Sequence, residues 1–197
     1  MNKPLLVKGE PGTGKTALAE SIAKALGRKL IIWSIKSTTK AQDGCISTMW
    51  SGGSMTVSWA MKGVDDVSRY IKMGKIGEAF CADEQCVLLI DEIDKADLEF
   101  PNDLLWELDK MEFYINETKE TIKTKHRPIV IITSNAEKEL PDAFLRRCIF
   151  HYIEFPDAEK MEEIINVTLR KYRFRSFDQK AAGSIYEIRK MDEIQKK

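Results

Sequence analysis

The sequence predicts an α/β fold in which helices cover both faces of a doubly wound parallel sheet of five strands. Its strand-like segments are continuous apolar runs rather than alternating patterns, which is typical of strands buried on both faces. Helical segments lie between most of these runs, and this alternation favours a parallel sheet. The 197 residues are 43% hydrophobic and 31% charged, so the chain is large and apolar enough for one domain with a real core.

The first part of the chain contains two predicted strands joined by a helix. Residues 4–9 (PLLVKG) form a short apolar run that ends in a glycine-rich turn, and residues 29–35 (KLIIWSI) form the second run. Between them, residues 15–27 repeat apolar side chains at helical spacing and stop at Gly27, as expected for a helix with a glycine stop. Residues 43–59 are rich in Gly, Ser and Thr, and we expect an irregular excursion there.

Three further apolar runs predict the remaining strands. They lie at residues 86–91 (CVLLID), 127–135 (RPIVIITSN) and 148–155 (CIFHYIEF). Residues 112–125 alternate around a polar centre, which predicts a β-hairpin inserted before the fourth strand. The chain after residue 156 is charged and rich in helical patterns. We therefore assign residues 1–156 to an α/β domain and residues 157–197 to a small second region.

Charge, cysteine content and hydropathy argue against several classes of protein. Lys plus Arg and Asp plus Glu are both 31, so the neutral balance makes nucleic acid an unlikely main partner. The four cysteines form no C-x-x-C pair and the two histidines, His126 and His151, have no partner at ligand spacing, so we expect no zinc cage. The sequence has no apolar run long enough to cross a bilayer, and we expect a cytoplasmic protein without membrane association.

A phosphate-binding loop is predicted between the first strand and the first helix. Residues 9–16 (GEPGTGKT) match the pattern G-x-x-x-x-G-K-[ST] in the strand-to-helix context that the pattern requires. Glycines let the backbone N–H groups of such a loop turn inward, and the helix dipole adds positive potential. The predicted nucleotide-binding residues are Gly9, Glu10, Pro11, Gly12, Thr13, Gly14, Lys15, Thr16 and Ala17.

Two adjacent carboxylates end the third predicted strand, in the segment LLIDEIDKAD. Parallel sheets bind ligands at the carboxyl ends of their strands, so Asp91 could hold Mg²⁺ together with the Thr16 hydroxyl. Glu92 is then placed to orient or deprotonate a water that attacks the last phosphate. Asp94 lies two residues further on, and we interpret it as a helix-start or surface charge.

With these motifs the chain resembles the AAA+ ATPases, which are P-loop NTPases, and within them the MoxR-like group. GEPGTGKT and LLIDEIDKAD resemble the two Walker motifs of that group, and IITSN resembles its sensor 1 strand. LPDAFLRRCIFHYIEFP resembles the segment that carries the arginine finger. The resemblance runs from Pro4 to nearly the end of the chain and is weakest over residues 43–67. It implies ATP and Mg²⁺ as cofactors and a partial helical lid at residues 157–197.

The resemblance also assigns roles to three further residues. Asn135 would hold the attacking water or touch the γ-phosphate, although an Asn that simply favours a turn remains the alternative. Arg147 matches the arginine finger, which acts in the nucleotide site of a neighbouring subunit, and Arg146 is the second candidate; either could instead be a surface charge. The hairpin at residues 112–125 also matches the group. Its basic residues could contact a substrate or nucleic acid, and the interpretation that we favour is protection of an exposed strand edge.

Members of the group usually carry a segment before the first strand and a lid that continues past the point where this sequence stops at Lys197. We expect either a fragment or a reduced member that needs help to close its site. The resemblance implies a ring, with a hexamer expected, and a von Willebrand factor A-type protein as a plausible partner.

Three functions follow from these patterns. The first is an ATP-hydrolysing module of an oligomeric protein-remodelling machine, and the second is a truncated nucleotide-binding scaffold with little or no turnover. The third, a small-molecule kinase or a GTPase, fits the phosphate loop alone. A GTPase normally carries an N-K-x-D motif that this sequence lacks, and a kinase would not need the DE pair followed by TSN.

Overall fold

The computed structural model describes residues 3–48, 71–116, 118–157, 159–161, 163–164 and 167. The chain divides into two compact units, Met1–Ile153 and Glu154–Lys197. Most of the second unit lies outside the described residues, so its assignment as a helical lid stays a prediction.

The central sheet of the first unit has five strands, all parallel. They are β1 (Leu5–Gly9), β2 (Leu30–Ser34), β5 (Val87–Asp91), β8 (Ile129–Ser134) and β9 (Ile149–Ile153). Their order in the sheet is β2-β5-β8-β1-β9. The α/β fold class and all five predicted strands are therefore confirmed. Because the strands are parallel and β8 lies between β5 and β1, the carboxyl ends of β5, β8 and β1 lie side by side at one edge of the sheet.

The remaining described elements are short apart from the first helix. In chain order the helices are α1 (Lys15–Ala25), α2 (Ala41–Cys45), α3 (Lys75–Phe80), a 3-10 turn (Ile93–Lys95), α4 (Phe100–Asp103), α5 (Leu105–Lys110) and α6 (Asp142–Leu145). Gly27 has φ of +60° just after α1, which is the left-handed conformation that a glycine stop requires.

Two buried clusters lie on the two faces of the sheet, which explains the continuous apolar runs. Successive residues of β5 point to opposite faces, so Leu89 packs in the cluster with Ala19 and Ala23 of α1. Its neighbours Leu88 and Ile90 belong to the larger cluster on the other face. The apolar side chains of a single strand therefore stabilise both layers of the fold.

The last strand departs from the expectation that every strand is covered on both faces. β9 lies at the edge of the sheet with β1 as its partner there, and Ile149, Phe150 and Tyr152 are 54%, 56% and 47% exposed. An apolar run indicates a strand but does not indicate which strand takes the edge.

Two antiparallel pairs stand apart from the central sheet. β6 (Glu112–Ile115) pairs with β7 (Glu120–Lys123), which confirms the predicted hairpin, and Lys123 forms an ion pair with Glu112 at 2.8 Å. β3 (Ile46–Thr48) pairs with β4 (Ile71–Met73). The predicted irregular excursion at residues 43–59 is thus wrong for residues 43–48, which are helix and strand, and its other residues lie outside those described.

Close backbone approach anchors the β3–β4 ribbon to the rest of the unit. A Cβ added at Gly74 would lie 2.3 Å from the carbonyl oxygen of Asp43 and 2.4 Å from that of Gly44. A side chain at position 74 would therefore force α2 and the start of α3 apart. Among the described residues, no helix has the length and apolar content that crossing a bilayer requires.

Candidate functional site

The nine predicted phosphate-binding residues occupy the end of β1, the following loop and the first turn of α1. Gly12 and Gly14 have φ of +81° and +85°, so both need the left-handed conformation that glycine adopts without strain. The Thr13 hydroxyl donates to the Glu10 carbonyl at 2.9 Å and tightens the turn. Gly9 is required for another reason, because a Cβ there would lie 2.5 Å from the Ile153 carbonyl oxygen of β9.

Lys15 is buried inside this loop, with only 6% of the residue exposed. Its ammonium group donates to the carbonyl oxygens of Gly9 at 2.9 Å and Glu10 at 2.8 Å. Burial lowers the pKa of Lys15, and the negative charges of Asp94, Asp91 and Glu92 oppose that shift. A buried cation under a turn of backbone amides is an arrangement suited to a phosphate group.

Asp91 and Thr16 meet at the mouth of the loop, as the sequence predicted. The Thr16 hydroxyl donates to Asp91 Oδ1 at 3.1 Å. A hydroxyl and a carboxylate oxygen are ligands that suit Mg²⁺, which commonly takes one or two protein carboxylates and completes its shell with substrate phosphates and water. No cluster of three or more His, Cys, Asp or Glu side chains suited to a metal occurs among the described residues, and Mg²⁺ at a triphosphate does not need one.

Thr133 links the Asp91 carboxylate to the backbone of Glu92 and was not identified from the sequence. Its hydroxyl donates to Asp91 Oδ1 at 2.7 Å and accepts from the Glu92 backbone N–H at 2.8 Å, and the residue is fully buried on β8. Two hydroxyl residues at the end of the otherwise apolar strand IVIITS were the available signal, since such residues in a buried strand need polar partners.

Glu92 and Asn135 are brought into direct contact. The Asn135 side-chain amide donates to Glu92 Oε1 at 3.1 Å, and the Lys95 ammonium pairs with Glu92 Oε2. Lys95 and, to a lesser extent, Asn135 hold the pKa of Glu92 below its usual range, while burial raises it. Glu92 also has φ of +60°, a left-handed conformation that is unusual for a residue with a side chain. With Asn135 at Oε1 and Lys95 at Oε2, both carboxylate oxygens of Glu92 have partners.

Asp94 lies in the first turn of the 3-10 helix, which agrees with the helix-start interpretation, but it is not a surface charge. Only 2% of the residue is exposed, and its carboxylate accepts from the backbone N–H groups of Asn135 and Glu137. The surface interpretation was wrong because the groups that bind this carboxylate lie 41 and 43 residues away in the chain.

The arginine pair lies at the end of α6, directly before β9. Arg147 donates from Nε to Asp109 Oδ2 at 2.7 Å and from a terminal nitrogen to the Ala143 carbonyl at 2.8 Å. Both partners lie outside the group formed by Thr16, Asp91, Glu92 and Asn135. Arg146 is exposed, and its backbone carbonyl accepts from the Lys3 ammonium at 3.2 Å.

Comparisons with known proteins place relatives beside this chain. Lon protease 1 of Bacillus subtilis (strain 168) is 30% identical over 178 residues, and the match covers 85% of this chain and 20% of the relative. The spastin homolog of Caenorhabditis elegans is 27% identical over 178 residues, covering 86% of this chain and 29% of the relative. The chain thus spans less than a third of the length of these relatives.

A solved structure from Cytophaga hutchinsonii, named as a candidate ATPase, superposes with a TM-score of 0.59 at 16% identity. The match covers 90% of this chain and 48% of that one, and it supports the fold alone. The profile of the ATPase family associated with various cellular activities (AAA) matches residues 5–157, well over half of the chain. The phosphate loop, the paired carboxylates and this match agree, and the chain belongs to the AAA family of ATPases.

Proposed function

We propose that this chain is the ATP-binding and ATP-hydrolysing module of a MoxR-like, oligomeric protein-remodelling machine that depends on Mg²⁺. The observation that carries the proposal is the contact between Glu92 and Asn135 beside the Thr16–Asp91 pair. A loop that only bound phosphate would not need a second carboxylate held by an amide at this edge of the sheet. The MoxR-like assignment rests on the resemblance of the motifs.

The loop and Lys15 are the parts of the site that would bind the phosphates. The N–H groups around Gly12 and Gly14 and the start of α1 offer positive potential to phosphate oxygens. The Lys15 ammonium exchanges the Gly9 and Glu10 carbonyls for phosphate oxygens when a nucleotide binds. Because a charged partner replaces two neutral ones, this exchange favours the anion.

Thr16 and Asp91 are the residues that would hold Mg²⁺. The ion, when bound, supplies positive charge that offsets the negative charge developing on the phosphate oxygens. Thr133 keeps the Asp91 carboxylate in place through its hydroxyl hydrogen bond.

Glu92 accepts a proton from the attacking water, or orients it, and Asn135 holds both the water and the carboxylate. Arg147, or Arg146 in its place, acts in the site of a neighbouring subunit in the ring, which we expect to be a hexamer. A protein with a von Willebrand factor A-type domain is the partner class that the MoxR-like assignment implies.

A nucleotide-dependent scaffold with little or no turnover is the second candidate. One observation favours it: the Lys95 ammonium pairs with Glu92 Oε2 and holds the pKa of Glu92 below its usual range. A carboxylate with a lowered pKa is a weaker base toward the attacking water. In that case the chain binds ATP, and its partners respond to the bound state rather than to hydrolysis.

The substitution Glu92→Gln tests hydrolysis separately from binding. It keeps the shape of the side chain and removes the proton acceptor, so we expect turnover to fall by about 100-fold or more while ATP affinity is kept. Phosphate release measures turnover, and isothermal titration calorimetry with Mg²⁺ measures binding.

Two other outcomes have distinct meanings. If both proteins bind ATP and neither releases phosphate, the scaffold function is correct. If neither protein gives heat with millimolar ATP, both candidate functions fail.

A further inference from the structure

We propose that Asp94 is a positioning residue that fixes Asn135 against Glu92, and this inference rests on the proposed ATPase function. Neither the motif resemblance nor the family match gives this residue a role. Its carboxylate never touches the reacting atoms in this scheme. It acts by holding the backbone from which the Asn135 side chain extends.

The first argument is the burial of a carboxylate that, among the described residues, is hydrogen-bonded by no basic side chain. Asp94 is 2% exposed, and the partners of its carboxylate oxygens are backbone amides rather than a basic side chain. Removing a carboxylate from water is costly unless strong hydrogen bonds replace the lost hydration. A buried carboxylate therefore needs strong hydrogen-bond donors, and here the loop after β8 supplies them.

The second argument is the shape of that loop. The Asn135 N–H reaches both carboxylate oxygens, at 3.1 and 3.3 Å, and the Glu137 N–H reaches Oδ2 at 3.0 Å. Between them, Ala136 has φ of +63°. Backbone N–H groups turned inward around a left-handed residue form a concave anion site, or nest, and the Asp94 carboxylate fills it. The anion stabilises a conformation that alanine adopts at a cost.

The third argument is geometric. Asp94 is joined to Glu92 by one intervening residue, and Asn135 is joined to the nest by its own N–H. The same carboxylate therefore fixes the separation between the two backbones whose side chains meet at 3.1 Å. Lys138 adds a second tie by donating to the Ala96 carbonyl at 2.9 Å. Without Asp94, the Asn135 amide loses its fixed position relative to Glu92.

The main test compares the full chain with Asp94→Asn, and Asp97→Asn serves as the matched control. Asp97 is an exposed carboxylate of the same loop. We expect Asp94→Asn to lower kcat by about 100-fold, the size of effect that a small misplacement of a reacting group produces. The dissociation constant for ATP should not rise, because removing a negative charge near Lys15 does not weaken the attraction for phosphate. Asp97→Asn should behave as the wild type.

A double-mutant cycle separates positioning from general damage. In an Asn135→Ala background, Asp94→Asn should cause little further loss, because the group that it positions is already absent. Equal losses in the two backgrounds would overturn the inference. So would wild-type turnover by Asp94→Asn.

A second variant keeps the test valid if Asp94→Asn does not fold. Ala136 is exposed, and Val at this position disfavours the left-handed conformation whereas Gly accepts it. We expect Ala136→Val to lose much more turnover than Ala136→Gly, and equal activities would count against the nest. If the wild type shows no turnover at all, the proposed ATPase function fails first and this inference fails with it.

Discussion

At the residue scale, one hydroxyl connects the groups that the proposed reaction needs. Thr133 donates to Asp91 and accepts from the N–H of Glu92, so it fixes the carboxylate of one residue and the backbone of the next. The left-handed conformation of Glu92 separates its side chain from that of Asp91, and the two adjacent acids consequently have different partners. A single hydrogen-bonded junction thus supports two different roles.

The substitution Thr133→Val tests that junction. It removes the hydroxyl with little change of shape and leaves the Glu92 N–H without its buried acceptor, which we expect to destabilise the fold by about 1–3 kcal/mol. Thr133→Ser keeps the hydroxyl and is the control. Denaturant unfolding of the three proteins measures the difference, and a Val variant as stable as the Ser variant would contradict the prediction.

The sequence predicted the roles of residues whose signals are local and missed those whose partners are distant. Asp91 and Glu92 could be placed because they end an apolar run beside a phosphate loop. Asp94 could not, because whether it is exposed or buried depends on amides contributed by the loop after β8. Lys95 has an ion pair with Glu92 three residues before it, but a lysine beside acids is too common to single out.

At the element scale, the order of the strands places the chemistry. Register pairs Ser34 with Asp91 and Val7 with Thr133, so the ends of the three strands β2, β5 and β8 and the loop after β1 are adjacent. The apolar runs and glycine stops that predict these elements act within a few residues, which is why they could be found. The β3–β4 pair has three residues in each strand, too few to give a pattern, and its residues meet across a long sequence separation.

Helix α5 carries a carboxylate, that of Glu107, whose burial disfavours its charged form. One carboxylate oxygen of Glu107 is buried, and among the described residues it has no hydrogen-bond partner. Burial raises the pKa of Glu107 above its ordinary value of 4.5, with a smaller contribution from Asp103. A raised pKa in the folded state means that this group contributes stability below the unfolded-state pKa, and that contribution is lost as pH rises through the folded-state pKa.

We therefore expect Glu107→Gln to raise the melting temperature at pH 7.5 and to lose that advantage near pH 4.5. A gain of about 1 kcal/mol, the lower range for a buried unpaired polar group, corresponds to a few degrees. Thermal unfolding at the two pH values measures it, with Glu139→Gln as the control because Glu139 is exposed. A gain that is the same at both pH values would show that the charge of Glu107 is not its cause.

At the scale of the whole molecule, the proposed ring explains why the arginine pair is separate from the cluster around Asp91. Arg147 donates to Asp109 from Nε and to the Ala143 carbonyl from a terminal nitrogen, so its guanidinium is held by residues of the unit that carries it. A residue that acts on a neighbouring subunit needs a rigid mount on its own subunit. The proposed action in trans makes activity depend on association.

Mixing two inactive variants tests this dependence. Glu92→Gln lacks the proton acceptor and Arg147→Ala lacks the arginine, so each alone should show little turnover. In mixed rings, roughly a quarter of the interfaces would join an intact Glu92 to an intact Arg147, and phosphate release should partly recover. A mixture as inactive as its components would contradict action in trans, and a wild-type rate per chain that does not vary with concentration would do the same.

The contacts of Lys15 have a consequence for substitutions in the loop. Its ammonium group donates to two carbonyls of its own loop, those of Gly9 and Glu10, so the backbone that carries the buried cation also satisfies it. The side chain that would attract phosphate therefore also ties the turn together. A substitution of Lys15 meant only to weaken anion binding would loosen residues 9–15 as well.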